Sequence, residues 1–256
     1  MWWNDSCGAP RGHLTGNPVS FGVTWITVNR RSTAHDARGL GAHEVRQDEH
    51  VSGAERSYGG RSATERAATR RAQLVAATVE LLAREGESGT TMTAICAEAG
   101  LTERYFYESF AHRDEAMVAA LDAVASEITD VALAAIAASA PDPRAQVTAA
   151  ITAVVDLFGD APTKGRVAVV ESTGNAALRA RRRQALADFA DLVGDQAQHI
   201  FGGAAWPAQR TRLNGLLFAA GFAEVLASWL TGAVTLSRQE LVELGSDLIH
   251  AVQQRP

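Results

Sequence analysis

A chain of 256 residues, 46% of them hydrophobic, carries enough apolar material for a sizeable core and reads as a soluble, globular, cytoplasmic protein. Its formal net charge of −5 excludes indiscriminate binding of nucleic acid over the whole surface, so any contact with phosphates has to be local. Cys7 and Cys96 are too few and too far apart for a disulfide framework or a clustered thiolate site, and no run of about eighteen consecutive apolar residues marks a membrane span.

Residues 1–61 mix Gly, Ser, Arg, His and Pro, and beyond the short run Phe21–Val28 no hydrophobic periodicity persists. That composition predicts a disordered extension, either a functional arm or an upstream addition with Val51 as the natural start. Just beyond it Arg61, Arg66, Arg70 and Arg71 outnumber Glu65 and form the clearest basic patch of the chain. A solvated helix start has the same composition.

From Thr64 the pattern turns Ala-rich and helical, with Leu74, Thr78, Leu81 and Leu82 as the inward stripe of a first helix that Gly86 ends. A second helix is expected over Met92–Ala99, a third over Glu103–Ser109, and a fourth from His112 with Met117, Leu121, Val124, Ile128, Val131 and Ala135 on one stripe. Pro141 to Pro143, Gly159 to Pro162, Gly174-Asn175, Gly202 to Pro207 and Gly232 to Ser237 punctuate five further helical stretches. No segment alternates as a strand. The expected fold is all-α, with about nine helices.

The segment Thr90–Glu115 places two short helices on either side of a tight turn. Thr91 is positioned to cap the second helix, while Ile95 and Ala99, four apart, lie on its buried side. Gly100 can take a positive φ without a Cβ clash, Leu101 plugs the gap between the helices, and Thr102 caps the third. Phe106 and Phe110 face the core, leaving Glu103, Arg104, Tyr107 and Glu108 more exposed and Tyr105 at a flank. A helix that reads base edges needs such an apolar anchor on one side and hydrogen-bonding groups near its start, here Thr102, Arg104 and Tyr105. A helical hairpin with half-buried tyrosines would have the same composition.

The order of residues adds more than composition. Ala99-Gly100-Leu101-Thr102, followed by Phe106-Tyr107, Phe110, Arg113 and Glu115, resembles the pattern of the tetracycline-repressor (TetR) family, in register over Leu74–Met117. The resemblance implies a helix-turn-helix DNA-binding domain over 62–112 and a helical ligand-binding and dimerisation domain over 113–256. It also implies that Thr91, Tyr107 and Arg113 match positions that contact phosphates, that Thr93 is a further phosphate candidate, and that Thr102, Arg104 and Tyr105 match positions near bases. Two residues depart from the pattern. Ala111 stands where the family often has Pro, and Glu103 puts a negative charge on the helix that would face DNA, where it either accepts from cytosine N4 or points away and holds Arg104.

Past residue 141 the resemblance is architectural only. Phe158, Phe189, Phe218, Phe222 and Trp229 suit either an apolar pocket or plain core, and the first four are the expected ligand-binding residues. The run Arg181-Arg182-Arg183 reads as a solvated face. The last two helices, about 209–231 and 238–254, carry apolar residues on more than one side, a surplus that marks a partner surface. Leu213, Leu217, Leu241, Leu244 and Leu248 are the expected dimer contacts, as the family's four-helix interface implies.

An enzyme is the main reading from another class, and the residues argue against it. Four of the seven His lie before residue 51, and none of the seven forms a ligand pair at helical spacing. No phosphate-binding Gly-rich loop or nucleophile elbow occurs, so no catalytic residue, metal or cofactor is expected. The expected partners are double-stranded operator DNA, a second copy of the chain and a small-molecule effector, with no membrane. The alternative is a dimeric adaptor or small-molecule-binding protein whose helix-turn-helix does not function.

Overall fold

The computed structural model describes residues 62–202 and 208–253, so the expectations for residues 1–61 and for a start at Val51 lie outside the described residues. Ser62 opens the first helix, α1 (Ala63–Gly89), through a reciprocal cap. Its hydroxyl accepts from the Glu65 N–H at 3.1 Å, and the Glu65 carboxylate accepts from the Ser62 N–H at 2.6 Å. Helical dihedrals break at Gly86 (φ 68°, ψ −173°), where the sequence puts the stop. After α2 (Met92–Ala99), Gly100 takes φ 64° and ψ 31°, the left-handed conformation that only a residue without Cβ adopts at low cost. The chain then enters α3 (Glu103–Ser109).

The long helix α4 (Arg113–Ala138) starts at the His112 cap, and α5 (Pro143–Asp160) at Asp142, whose carboxylate accepts from the Ala145 N–H at 2.8 Å. A single turn, α6 (Pro162–Gly165), passes into a π-helical turn over Arg166–Val170 and a 3-10 turn over Glu171–Thr173. The helices α7 (Ala176–Phe201), α8 (Ala208–Leu230) and α9 (Arg238–Gln253) complete the set of nine α-helices, with no strand among the described residues.

Three apolar clusters succeed one another along the bundle. Leu74, Ile95, Phe106 and Phe110 centre the first, between α1, α2 and α3. Leu82, Met117, Leu121, Val124, Val167 and Leu178 form the second, which joins the end of α1 to α4, the π-helical turn and α7. The packing thus runs on across residue 113, since Ala116 of α4 joins the first cluster and Leu82 of α1 the second. The third, with Val155, Phe158, Phe218, Phe222, Leu226 and Leu241, gathers α5, α8 and α9.

The contact between α7 and α8 depends on small residues: a Cβ on Gly215 would stand 2.4 Å from the Ala190 carbonyl oxygen. By length and composition α8 could cross a membrane, with mean hydropathy 1.5 over Arg210–Leu230, a property that counting consecutive apolar residues misses. In the fold Phe218, Ala219, Phe222 and Leu226 turn one side of α8 into the core, while Leu213, Leu216 and Leu217 remain exposed.

Candidate nucleic-acid interface and internal cavity

Phe106 and Phe110, 0% and 2% exposed, anchor α3 with ring centroids 5.6 Å apart. Because these two fix one side of a two-turn helix inward, the residues between them point elsewhere. Thr102, Arg104, Tyr107 and Glu108 are exposed, and so are Thr91 and Thr93 at the start of α2. Tyr107 is 60% exposed despite an edge-on contact between its ring and Phe106. The Thr91 hydroxyl accepts from the Ala94 N–H at 3.1 Å, as its capping position leads one to expect, and keeps its own proton to donate outward. Thr102 occupies the cap position of α3 but makes no side-chain capping bond, contrary to the sequence expectation.

Charged groups around α3 form a small network that spacing alone does not reveal. Arg104, with its side chain 84% exposed, is held only by Glu108 one turn later, at 3.1 Å. Glu108 also accepts from Arg70 of α1 at 3.4 Å, and the Arg70 guanidinium lies 4.4 Å above the Tyr105 ring. Tyr105 is therefore a half-buried residue clamped from α1. Arg71 stacks on Phe110 at 4.8 Å, so part of the basic patch is engaged inside the chain.

Arg113, expected at a phosphate, has partners within the chain. Its guanidinium donates to the Glu87 carbonyl oxygen at 3.3 Å, pairs with the Glu87 carboxylate and lies 3.5 Å from Asp114. It ties the start of α4 to the end of α1. Glu115 takes a related part, accepting from the Ala111 N–H at 2.7 Å. Cys96 is buried, and loss of solvent, with the nearby Glu103 charge second, pushes its thiol above the ordinary value.

The second feature is a cavity of about 500 Å³ among α4, α5, α7, α8 and α9. Phe158, Phe189, Phe218 and Phe222 all line it, and Phe218 and Phe222 stack with centroids 5.6 Å apart. Trp229 stands outside the lining, its indole N–H donating to the Leu236 carbonyl at 2.9 Å. The α4 side includes Leu121 and Ile128 of the stripe that periodicity singles out, together with Ala125, Thr129, Ala132 and Ile136 beside it. The expectation of a solvated arginine run fails for two of its three members. Arg181 and Arg182 line the cavity, 27% and 20% exposed, with Arg181 paired to Asp122 and Asp188 and Arg182 to Glu224 at 2.6 Å.

The residues expected at a dimer surface divide. Leu213, Leu217, Leu244 and Leu248 are 62%, 73%, 46% and 42% exposed, with Leu216 beside them at 39%. Leu241 is fully buried in the chain's own core and cannot meet a partner, because it lies on the side of α9 that carries the buried Gly245, Ser246 and Ile249, whereas Leu244 and Leu248 lie on another.

Residues 74–120, which run from α1 through α3 into α4, match the family model of bacterial regulatory proteins, tetR family. Over these residues the helix-turn-helix is similar to that of the tetR family. The fold agrees over a longer stretch. A TetR-like transcriptional regulator from Rhodococcus sp. RHA1 superposes with TM-score 0.56 at 20% identity, covering 73% of this chain and 98% of that one. The fatty acid degradation regulator FadR from Bacillus halodurans does so with TM-score 0.60 at 14% identity, covering 72% and 95%. FadR from Bacillus subtilis, in complex with stearoyl-CoA, superposes with TM-score 0.58 at 17% identity, covering 72% and 97%. No curated protein sequence matches the chain. At these identities the likeness carries the fold alone.

Proposed function

We propose that this TetR-family chain is a ligand-responsive transcriptional regulator that binds operator DNA as a homodimer. The observation that carries the reading is the exposed start of α3. There Thr102 and Arg104 stand free of the core on a helix whose opposite side is locked by Phe106 and Phe110. A helix fixed in this way presents its N-terminal residues to the major groove, and two copies related by a two-fold axis address half-sites about one turn of DNA apart. Arg104 and Tyr105 read bases; Thr91, Thr93 and Tyr107 hold phosphates. Repression follows if the occupied operator blocks transcription.

The exposed leucines of α8 and α9 supply the surface for the second copy, since apolar side chains set one turn apart on neighbouring helices suit a four-helix contact. The cavity is the effector site, a reading supported by its apolar lining and by the ligand-bound FadR of like fold. It lies against α4, which α1 and Arg113 connect to the helix-turn-helix, so a ligand preferring one α4 position shifts the separation of the recognition helices. That shift is limited by its difference in affinity for the two states.

Selection of bound duplexes from random DNA, followed by anisotropy titrations at several salt concentrations, tests the reading. A two-fold symmetric consensus bound well above random sequence is the expected result. Equal, weak binding of every duplex would remove the regulator reading and leave a helical dimeric ligand-binding protein.

A further inference from the structure

If the cavity is the effector site, its shape and charges narrow the ligand to one chemical class, an assignment that rests on the effector reading. The lining on α4 runs from Leu121 to Ile136, which at 1.5 Å per residue is about 22 Å of helix. On α7 it runs from Arg181 to Phe201, about 30 Å by the same rise. Both lined lengths are on the scale of a single extended hydrocarbon chain.

Its polarity changes along its length. On α4 the polar side chains are Asp122 and Ser126 in the first half of the lined stretch and Thr129 at its middle, and those on α7 begin at the same end with Arg181, Arg182 and Asp188. The Arg181–Asp122 pair brings the two polar ends together. Beyond them α4 presents Ala132, Leu133 and Ile136, and α7 presents Leu192, Ile200 and Phe201, with Gln196 the one polar side chain in that half. Among the described lining residues no charged side chain lies there, so the far half suits hydrocarbon better than an ionised group.

The charges at the polar end are arranged with the cations inward. Arg182 is 20% exposed, whereas its partner Glu224 is 69% exposed and stands outside the lining. Arg181 is 27% exposed against 47% for Asp122 and 56% for Asp188. A ligand anion can therefore replace these carboxylates on the guanidiniums while the displaced groups turn to water, an exchange that costs little and fits the planar fork of arginine.

We propose that the cavity holds a single-chain amphiphile lengthwise, its hydrocarbon tail between the far halves of α4 and α7 and an anionic head on Arg181 and Arg182. The head is a carboxylate or a phosphate, and hexadecanoate and hexadecyl phosphate distinguish the two.

Calorimetric titration of the full chain with hexanoate, dodecanoate and hexadecanoate, below their aggregation limits, tests the tail. Affinity should rise about three- to fourfold per methylene until the chain fills the cavity. Hexadecanol and hexadecyltrimethylammonium test the head, and each should bind at least tenfold more weakly than the better of the two anions. Arg182→Gln should lower affinity for that anion about tenfold and leave hexadecanol unchanged, which a merely unfolded variant would not do; an Arg182→Lys control should recover part of the loss. Affinity independent of chain length would overturn the tail assignment. Equal binding of acid, alcohol and ammonium, or equal weakening of all by Arg182→Gln, would overturn the head assignment. Operator binding without any amphiphile binding would sink this inference and leave the regulator reading standing. Amphiphile binding by a chain that selects no DNA would do the reverse.

Discussion

Replacing Arg113 by alanine separates two roles that its position in the sequence does not distinguish. In the fold its guanidinium makes one hydrogen bond to the Glu87 carbonyl, an ion pair with the Glu87 carboxylate and a longer contact with Asp114. Hydrogen bonds to charged groups contribute about 1.5–3 kcal/mol each when buried. Here Arg113 is 34% exposed and Glu87 29%, so water already screens part of the interaction. With that discount the whole arrangement contributes about 1–2 kcal/mol. For a folded unit of this size such a loss lowers Tm by roughly 2–8 °C. A side chain occupied in this way neutralises no phosphate, so the slope of log K against log salt for operator binding should not change. Had Arg113 met a phosphate in each half-site, its removal from both copies of the dimer would lower that slope by about 1.8. Thermal unfolding beside DNA titrations at three salt concentrations checks both. A slope lower by about two at unchanged Tm would refute the structural assignment and restore the phosphate contact.

Arg104→Ala should flatten preference at one base pair per half-site, a loss of about 1–3 kcal/mol in discrimination, because its exposed pair with Glu108 holds it only weakly. A panel of single-base operator variants reads this, and an unchanged preference would pass the role to Thr102 and Tyr105. Glu108→Gln frees both Arg104 and Arg70, so binding to unrelated duplex should strengthen and its salt dependence steepen; weaker binding would contradict the network. Leu248→Asp puts a carboxylate on the exposed stripe of α9 and should yield a folded monomer by ultracentrifugation at micromolar concentration, whereas a persistent dimer would move the interface elsewhere. Glu240 is held below the usual carboxylate range, first by the Ser237 backbone N–H and then by its hydroxyl. A depressed value in the folded state means that this cap contributes at neutral pH and is lost as pH falls through that value. Amide protection at the start of α9, taken relative to the intrinsic exchange rate at each pH, should therefore fall on acidification in the wild type and be less pH-dependent in Glu240→Gln. Identical profiles would refute it.

Much of the fold is local in origin, and local features are legible in a sequence. The breaks at Gly86 and Gly100 and the inward pair Phe106 and Phe110 depend on residues no more than four apart, so helix geometry alone nearly specifies them. The four phenylalanines of the cavity were also legible, as large apolar residues spread over separate helices. What the sequence could not carry were pairings across the bundle. Thr102 has the right residue type for a cap, yet no bond forms, and Arg113 has the charge for phosphate, yet Glu87, distant in sequence, takes it. Arg181 and Arg182 look like a solvated run until α4 and α8 bring Asp122 and Glu224 against them, and Leu241 looks like Leu244 and Leu248 until α5 and α8 cover it. Periodicity tells which side of a helix is apolar; whether that side meets its own core, a cavity or a second chain depends on which other helices arrive, and that is a property of the tertiary structure.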